Sequence, residues 1–565
     1  MTTTRRAFLL RTTVLGGLGL LAAACSPSVP APAATPAAPK PATGSGATGT
    51  APAAPAASAA QPKRGGTLTW AQWDRNDALD PASPSGASAT EIIGNVLDTL
   101  VVMDENQKIY PSLATKWTMD GGGTSYTFTL RDDVKFTDGS ALDATVVKRN
   151  WERILDPKTK AAGVVSLFGP INAIKAPDPR TLTVSFKEPF PQFLQAVWRP
   201  YFGILSPKVL DAAKVGEPIS DIVGSGPYRL AGRAADGLVT LEANAAYAWG
   251  SEAFKNRKAP YIQTIKLRSV QEPGTRLATL ESGENLLIDE LSEPDYARLK
   301  ADRRFTFVET PRKGIALGFS INVSKAPTDD AAVRQAMSWA IDRKSIVDKL
   351  FFGVHKVTVG PLAEGVWGRW EGAEKVYGYD PKKAQDLLEV ASWKVGPGGI
   401  REKAGQKLAV DLVTFRSPWT EIAEAAQAQF RQVGIDLQIQ KMERGAYLDY
   451  VRAYKHNMSA SAGTNIDADE LRNRYASKGI PAANFSNLKD TELDAMLARG
   501  AQLPADSAER MKVYEDAQRR LMDIAPFVSV MSQVRVMAMA SKVKDLRMVA
   551  DGLNAQPMLD TWIDA

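Results

Sequence analysis

One cysteine, Cys25, and two histidines, His355 and His456, are all that 565 residues contain of those types. A single cysteine excludes an intrachain disulfide. The two histidines stand far apart without ligand-like companions, so a histidine-rich metal site and histidine general-base catalysis both lack their usual residues. A metal held through an organic chelator stays open, as does a pair of carboxylates doing acid–base work. No Gly-x-Ser-x-Gly elbow, His-Glu-x-x-His pair or P-loop occurs. No cofactor motif is present and none is expected. The formal charge of +6 is modest, and about half of it sits on Arg5, Arg6 and Arg11. Nothing in that balance implies a nucleic-acid partner.

Acidic residues are absent before Cys25, while the three arginines precede an apolar stretch at 14–24. That stretch is shorter than the roughly 20 residues a membrane-spanning helix needs. A basic head, a short apolar core and small residues before a cut describe an export signal. Thr4, Arg5, Arg6, Ala7, Phe8 and Leu9 resemble the twin-arginine signal; a general secretory signal with two arginines is the alternative. Ala22, Ala23 and Ala24 directly before Cys25 resemble a bacterial lipobox, although its usual leucine falls one place early, at Leu21. Cys25 is therefore the expected lipidation site and membrane attachment; ordinary cleavage near Ala24 is the alternative.

Large apolar and charged residues are nearly missing from 26–61, where Val29 and Lys40 stand alone among Ala, Pro, Thr, Ser and Gly. Such a segment cannot offset its ordering entropy by burial and reads as an extended tether. The body that follows, about 500 residues, exceeds one hydrophobic core and implies two or three subdomains.

Within the body, 66–70 reads as a strand and 91–100 as a helix with Ile92, Val96 and Leu100 on one face. Tyr126, Phe128 and Leu130 alternate as a half-buried strand, as do Thr181–Phe186 and 264–270. Thr328 is positioned to cap a helix carrying Val333, Met337 and Ile341, and Asp342 to cap the next. Strand 407–415, helix 421–433 closed by Gly434, and strand 435–440 then follow in order. Strand–helix–strand order implies α/β subdomains with partly parallel sheets.

Six stretches carry a family resemblance. They are "VKFTDGSALDATVVKRNWERILDP" (134–157), "GSGPYRL" (224–230), "ESGENLLIDEL" (281–291), the run from "INVSKAPTDDAAVRQAM" to "VTVGPL" (321–362), "YGYDPKKAQDLLEVA" (377–391) and "AQFRQVGIDLQIQ" (428–440). In order and spacing they resemble the family 5 extracellular solute-binding proteins, the dipeptide, oligopeptide and nickel group of ABC importers. The resemblance implies a two-lobed α/β clamp of the periplasmic-binding-protein class II type, with an extra small subdomain and two segments crossing between lobes. It places the signal at 1–25, the tether at 26–62, lobe I at 63–103 with 206–318 and 532–565, the extra subdomain at 104–205 and lobe II at 319–531. The crossings are expected at 319–322 and 527–533. It further implies a monomer, not an enzyme, that holds a small organic solute (a peptide, an opine-like compound or a sugar derivative) and delivers it to an ABC permease complex. A sensory receptor with the same clamp, or less simply an exported hydrolase, is the alternative.

Arg416 is a candidate ligand-binding residue on local grounds. It follows a predicted strand and precedes a predicted helix, and ligands of open α/β sheets gather beyond the carboxyl ends of strands. A helix N-terminus there favours an anion, and arginine adds a planar fork for a carboxylate. Trp419, close by, could stack on the solute or pack in the core. In "SASAGTNIDADELRNRY" (459–475), peptide-binding relatives carry an acid that pairs with the peptide amine; here that position falls at Thr464 or Asn465. Asn465 and Asp467 are candidates, with Asp467 and Asp469 alternatively capping the next helix. Trp70 and Trp73, beside Asp74, end the first strand of the body and are candidate cleft residues or core. Ser225 lies in the Gly-Ser-Gly-Pro turn, facing the cleft or serving the turn alone. A solute with a carboxylate and no free amine is the expectation.

Overall fold

The computed structural model describes residues 61–214, 216–548 and 557–564; Cys25, the signal and the tether lie outside them. Two mixed sheets dominate. The first has seven strands in the order Phe305–Pro311, Val534–Ala540, Leu287–Ile288, Thr67–Gln72, Thr264–Ser269, Val239–Ala243, Tyr228–Arg233. Thr67–Gln72 sits at its centre, parallel to both neighbours. The second has six strands in the order Lys356–Val357, Phe527–Ser532, Leu317–Ile321, Met458–Ser461, Ala409–Thr414, Asp436–Lys441. A separate four-stranded antiparallel sheet spans 114–186. Each sheet has its own apolar cluster, as a two-lobed clamp with an added subdomain requires.

The small subdomain follows the alternation in its sequence. Tyr126, Phe128 and Leu130 are buried on one face of Ser125–Leu130, and Leu182, Val184 and Phe186 on the adjoining strand. They pack on helix Ala144–Leu155, whose Trp151 meets Phe128 and Phe193 edge-on at 6.4 and 5.9 Å. Such pairs add about 0.5–1.5 kcal/mol beyond their buried area.

Three local expectations shift. The helix expected at 91–100 runs Ala87–Val96, because Asp74 accepts a hydrogen bond from Ala87 N at 2.9 Å and starts it early. Asp330, not Thr328, caps helix Ala331–Ala340; the Thr328 hydroxyl instead donates to the carbonyls of Asn322 and Lys325. The crossing expected at 319–322 lies upstream. Leu317–Ile321 is fully buried and bonded on both sides within the second sheet, so residues 312–316 make the crossing. The return crossing narrows to Gln533, between Phe527–Ser532 in one sheet and Val534–Ala540 in the other. Arg312 N donates to Gln533 O at 2.8 Å, so the two crossings are bonded together.

Lobe II also touches the subdomain. Ile466, 1% exposed, lies within the subdomain's apolar cluster. Gln192 Nε2 donates to Ala501 O at 3.1 Å and Gln107 Nε2 to Gly365 O at 2.6 Å.

Candidate functional site

Ala409–Thr414 runs parallel to both Asp436–Lys441 and Met458–Ser461, so three strands finish on one edge of the second sheet. The chain beyond each contributes to one cavity of about 430 Å³: Phe415 and Arg416 from the first, Arg444 from the second, Ala462, Gly463 and Thr464 from the third. The crossings complete it with Arg312, Ile315 and Gln533. A site beyond parallel strand ends, where two lobes meet, is where an α/β clamp holds its ligand.

The crossing lies hard against the third loop. Gly314 has φ +119°, and a Cβ there would fall 2.2 Å from the carbonyl carbon of Gly463. Only glycine allows both the backbone conformation and the approach. Gly463 N donates to Ile315 O at 3.2 Å across the contact.

Aromatic rings form one wall. Phe415 lies between Trp419 and Tyr447, with centroids 5.2 and 4.8 Å away. Trp419 Nε1 donates to Ser461 O at 3.2 Å, and the Tyr447 hydroxyl to Ala460 O at 2.6 Å. Their polar atoms are thus engaged by the strand behind, leaving ring surface toward the cavity.

The charged residues divide into matched and unmatched. Arg474 Nε donates to Glu470 at 3.1 Å and its Nη2 to Ala462 O at 2.8 Å. Arg312 donates to Glu290 of the first lobe. Arg416 has aromatic neighbours instead: its guanidinium carbon is 5.6 Å from the Phe415 centroid and 5.3 Å from that of Trp419. Partial burial, then the facing charges of Arg312 and Arg444, push Arg416 below its ordinary pKa, with Glu290 opposing. The attraction of a bound anion would offset both penalties.

The structure brings Arg416 and Trp419 together in the cavity. Asn465 is half-buried beside cavity-lining Thr464 but does not itself line the cavity. Other candidates are engaged elsewhere. Trp70 is fully buried and donates Nε1 to Asp289 at 2.7 Å. Ser225 is fully buried and donates to Asp98 at 2.9 Å. Asp467 is buried in a two-bond pair with Arg510 at 2.6 and 2.8 Å, rather than in the cavity or capping the next helix. Burial raises its pKa, which the Arg510 charge opposes. Asp469 receives Arg472 and the Tyr514 hydroxyl and makes no side-chain cap on Glu470–Tyr475. Trp73 is half-buried outside the lining, its enclosed Nε1 without an acceptor among the described residues.

Arg312, Arg444, Glu470 and Arg474 were not singled out from sequence. Arg444 had a readable signal, since it too follows a strand and opens a helix, Arg444–Arg452. Arg312 becomes legible only once the crossing is located.

Among the described residues, no group of three or more His, Cys, Asp or Glu side chains is placed to hold a metal ion. None of their helices is long and apolar enough to cross a membrane.

A family model described as bacterial extracellular solute-binding proteins, family 5 (middle), matches residues 108–481. The nickel-binding periplasmic protein of Escherichia coli (strain K12) is 29% identical over 456 residues, 77% of this chain and 83% of that protein. The glutathione-binding protein GsiB of Pectobacterium atrosepticum is 26% identical over 490 residues, 84% of this chain and 90% of that one. In structure, the ABC transporter-associated periplasmic binding protein DppA from Helicobacter pylori, solved with the peptide STSA, aligns with a TM-score of 0.69 at 25% identity. The alignment covers 89% of this chain and 99% of that one. Fold, order of motifs and family match agree: this chain belongs to the family 5 bacterial extracellular solute-binding proteins, binding components of ABC transporters that act outside the cytoplasm and are not enzymes.

Proposed function

We propose that this protein captures a small organic solute bearing a carboxylate and delivers it to an ABC permease complex in the cytoplasmic membrane. It does so as a monomer held outside that membrane by lipid on Cys25, after twin-arginine export. The observation that carries the ligand class is Arg416: a guanidinium without a carboxylate partner among the described residues, in a cavity at the crossings between lobes. A free α-amine is not part of the recognised chemistry. Glu470, the carboxylate lining the cavity, is bonded to Arg474, and Thr464 and Asn465, the positions the family resemblance assigns to the amine-pairing acid, are both uncharged. A buried ammonium without a carboxylate loses hydration that nothing replaces.

Calorimetric titration tests this with free-amine dipeptides, N-blocked dipeptides, glutathione and an opine. Tight binding of ordinary dipeptides, unaffected by Arg416→Gln, overturns the reading. Small-angle scattering should show a smaller radius of gyration with a bound solute, as hinge closure demands. Saturation at a hundredfold excess over Kd should raise stability by about 2.7 kcal/mol. Intact mass of membrane-extracted protein tests the anchor: an unmodified product starting elsewhere than Cys25 rules it out, whereas a Cys25→Ala protein should be released in soluble form.

A further inference from the structure

The cavity carries more positive charge than its own acids match. Its lining holds four arginines, Arg312, Arg416, Arg444 and Arg474, and one carboxylate, Glu470. Glu470 is bonded to Arg474, and Glu290 reaches in from the first lobe to Arg312. Arg416 and Arg444 remain. Among the described residues neither has an ion-pair partner, and their guanidinium carbons lie 5.6 and 6.0 Å from the centroid of the same ring, Phe415. A ring face offers a cation roughly 0.5–1 kcal/mol at exposed sites, well short of what a carboxylate offers. Both side chains are exposed, and two like charges lining one concave site concentrate a positive potential that attracts anions.

We propose that Arg444 forms a second anion subsite beside that of Arg416, so that the solute carries two acidic groups joined by a segment lying along the Phe415 ring. The proposal rests on the reading of the same cavity given above and adds to it the number of charges recognised. A dicarboxylate, or a carboxylate with a phosphate ester, has the required chemistry. Arg444 is then a specificity-determining residue: it discriminates a diacid from a monoacid of the same size.

Three N-acetylated dipeptides separate the cases: acetyl-Gly-Glu with two carboxylates, and acetyl-Gly-Gln and the α-amide of acetyl-Gly-Glu with one each. Titration calorimetry should show the diacid binding roughly 10- to 100-fold more tightly than either monoacid, the range of one charged hydrogen-bonded pair. Arg444→Gln should erase that advantage, so that the diacid binds no more tightly than the monoacids, and its thermal midpoint should confirm an intact fold. The proposal fails if the diacid has no advantage, which includes no binding by any of the three, or if the advantage survives Arg444→Gln. In the first event, loss of acetyl-Gly-Gln binding in Arg416→Gln would leave the single-carboxylate reading standing. Binding that ignores Arg416→Gln would remove both. Mass spectrometry of solute released from freshly purified protein gives an independent check, and a released solute with one acidic group overturns the second subsite.

Discussion

Two groups of arginines, one in each lobe, have opposite surroundings. In the first lobe Arg535 is 1% exposed and lies 3.2 Å from Glu91 and 3.4 Å from Asp289, both fully buried. Gln72 donates to the same Glu91 at 3.0 Å, and Trp70 to the same Asp289. Arg276 beside them donates to four backbone carbonyls, of Asp289, Val270, Gln271 and Glu290. In the second lobe Arg416 and Arg444 face a cavity with rings for neighbours. The first group has its charges paired within the folded chain. The second has no ion-pair partner among the described residues. Identical side chains thus differ in whether the fold itself pairs their charge.

The largest effect should come from breaking the saturated group. Arg535→Met leaves two buried carboxyls facing each other without their cation, and removing one partner of a buried pair costs about 3–5 kcal/mol. Urea unfolding should register the loss. A change under ~1 kcal/mol would mean that water reaches the cluster and that the two groups differ less than the geometry implies.

Next in size is the unsaturated group. Arg416→Gln should leave unfolding within about 0.5 kcal/mol of the parent. It should weaken solute binding by about 2–5 kcal/mol where the ion pair is desolvated on closure. Calorimetry and denaturation on the same samples decide it. A stability loss matching that of Arg535→Met would make Arg416 structural.

The saturated group also leaves a signature in pH. Burial, then repulsion by Asp289, pushes Glu91 up to about 8 from an ordinary 4.5, with Arg535 opposing. A carboxyl raised on folding binds more protons in the native than in the unfolded state between those values. Its contribution is fully present below 4.5 and is lost as pH rises through about 8, at most ~1.4 kcal/mol per pH unit. His456 of the second lobe acts oppositely. Burial pushes it down to about 4 from 6.5, with the Phe485 carbonyl opposing, so its contribution is lost as pH falls through that interval. The two slopes oppose each other between 4.5 and 6.5. From 6.5 to 8 only the Glu91 slope remains of the two, and Glu91→Gln should flatten stability there. An unchanged slope in that variant would assign the proton elsewhere.

These contrasts explain which parts were legible in the sequence. The small subdomain was, because alternation at Tyr126, Phe128 and Leu130 is a local signal with period two. The place of Arg416 in the fold was, because its strand end and helix start are neighbours in sequence. Trp70, Ser225 and Asp467 were read as cleft candidates because their partners are remote: Asp289 is 219 positions from Trp70, Asp98 is 127 from Ser225, and Arg510 is 43 from Asp467. No local pattern reveals that a polar side chain is already engaged at such distance. The crossing at 312–316 was misplaced for the same reason, since it depends on which strands Leu317–Ile321 pairs with. The Asp74 cap is another case, set by a loop 13 positions before the helix it starts.

The smallest predicted effect sharpens the comparison most, because the truncation removes a repulsion rather than a partner. Arg444→Gln removes a cation that has no acidic partner among the described residues and shares the Phe415 ring with Arg416. An arginine in a saturated cluster loses partners when truncated. Arg444 loses a repulsion and the weak attraction of one ring. Without solute, Arg444→Gln should therefore unfold within about 0.5 kcal/mol of the parent, on the stable side if repulsion outweighs the ring contact. The Debye length falls from about 30 Å at 0.01 M to about 8 Å at 0.15 M ionic strength, so added salt should shrink any gain. Thermal unfolding of both proteins at the two ionic strengths measures this directly. A salt-independent loss above ~1 kcal/mol would show Arg444 saturated by the fold and place it with Arg535, on the structural side of the division.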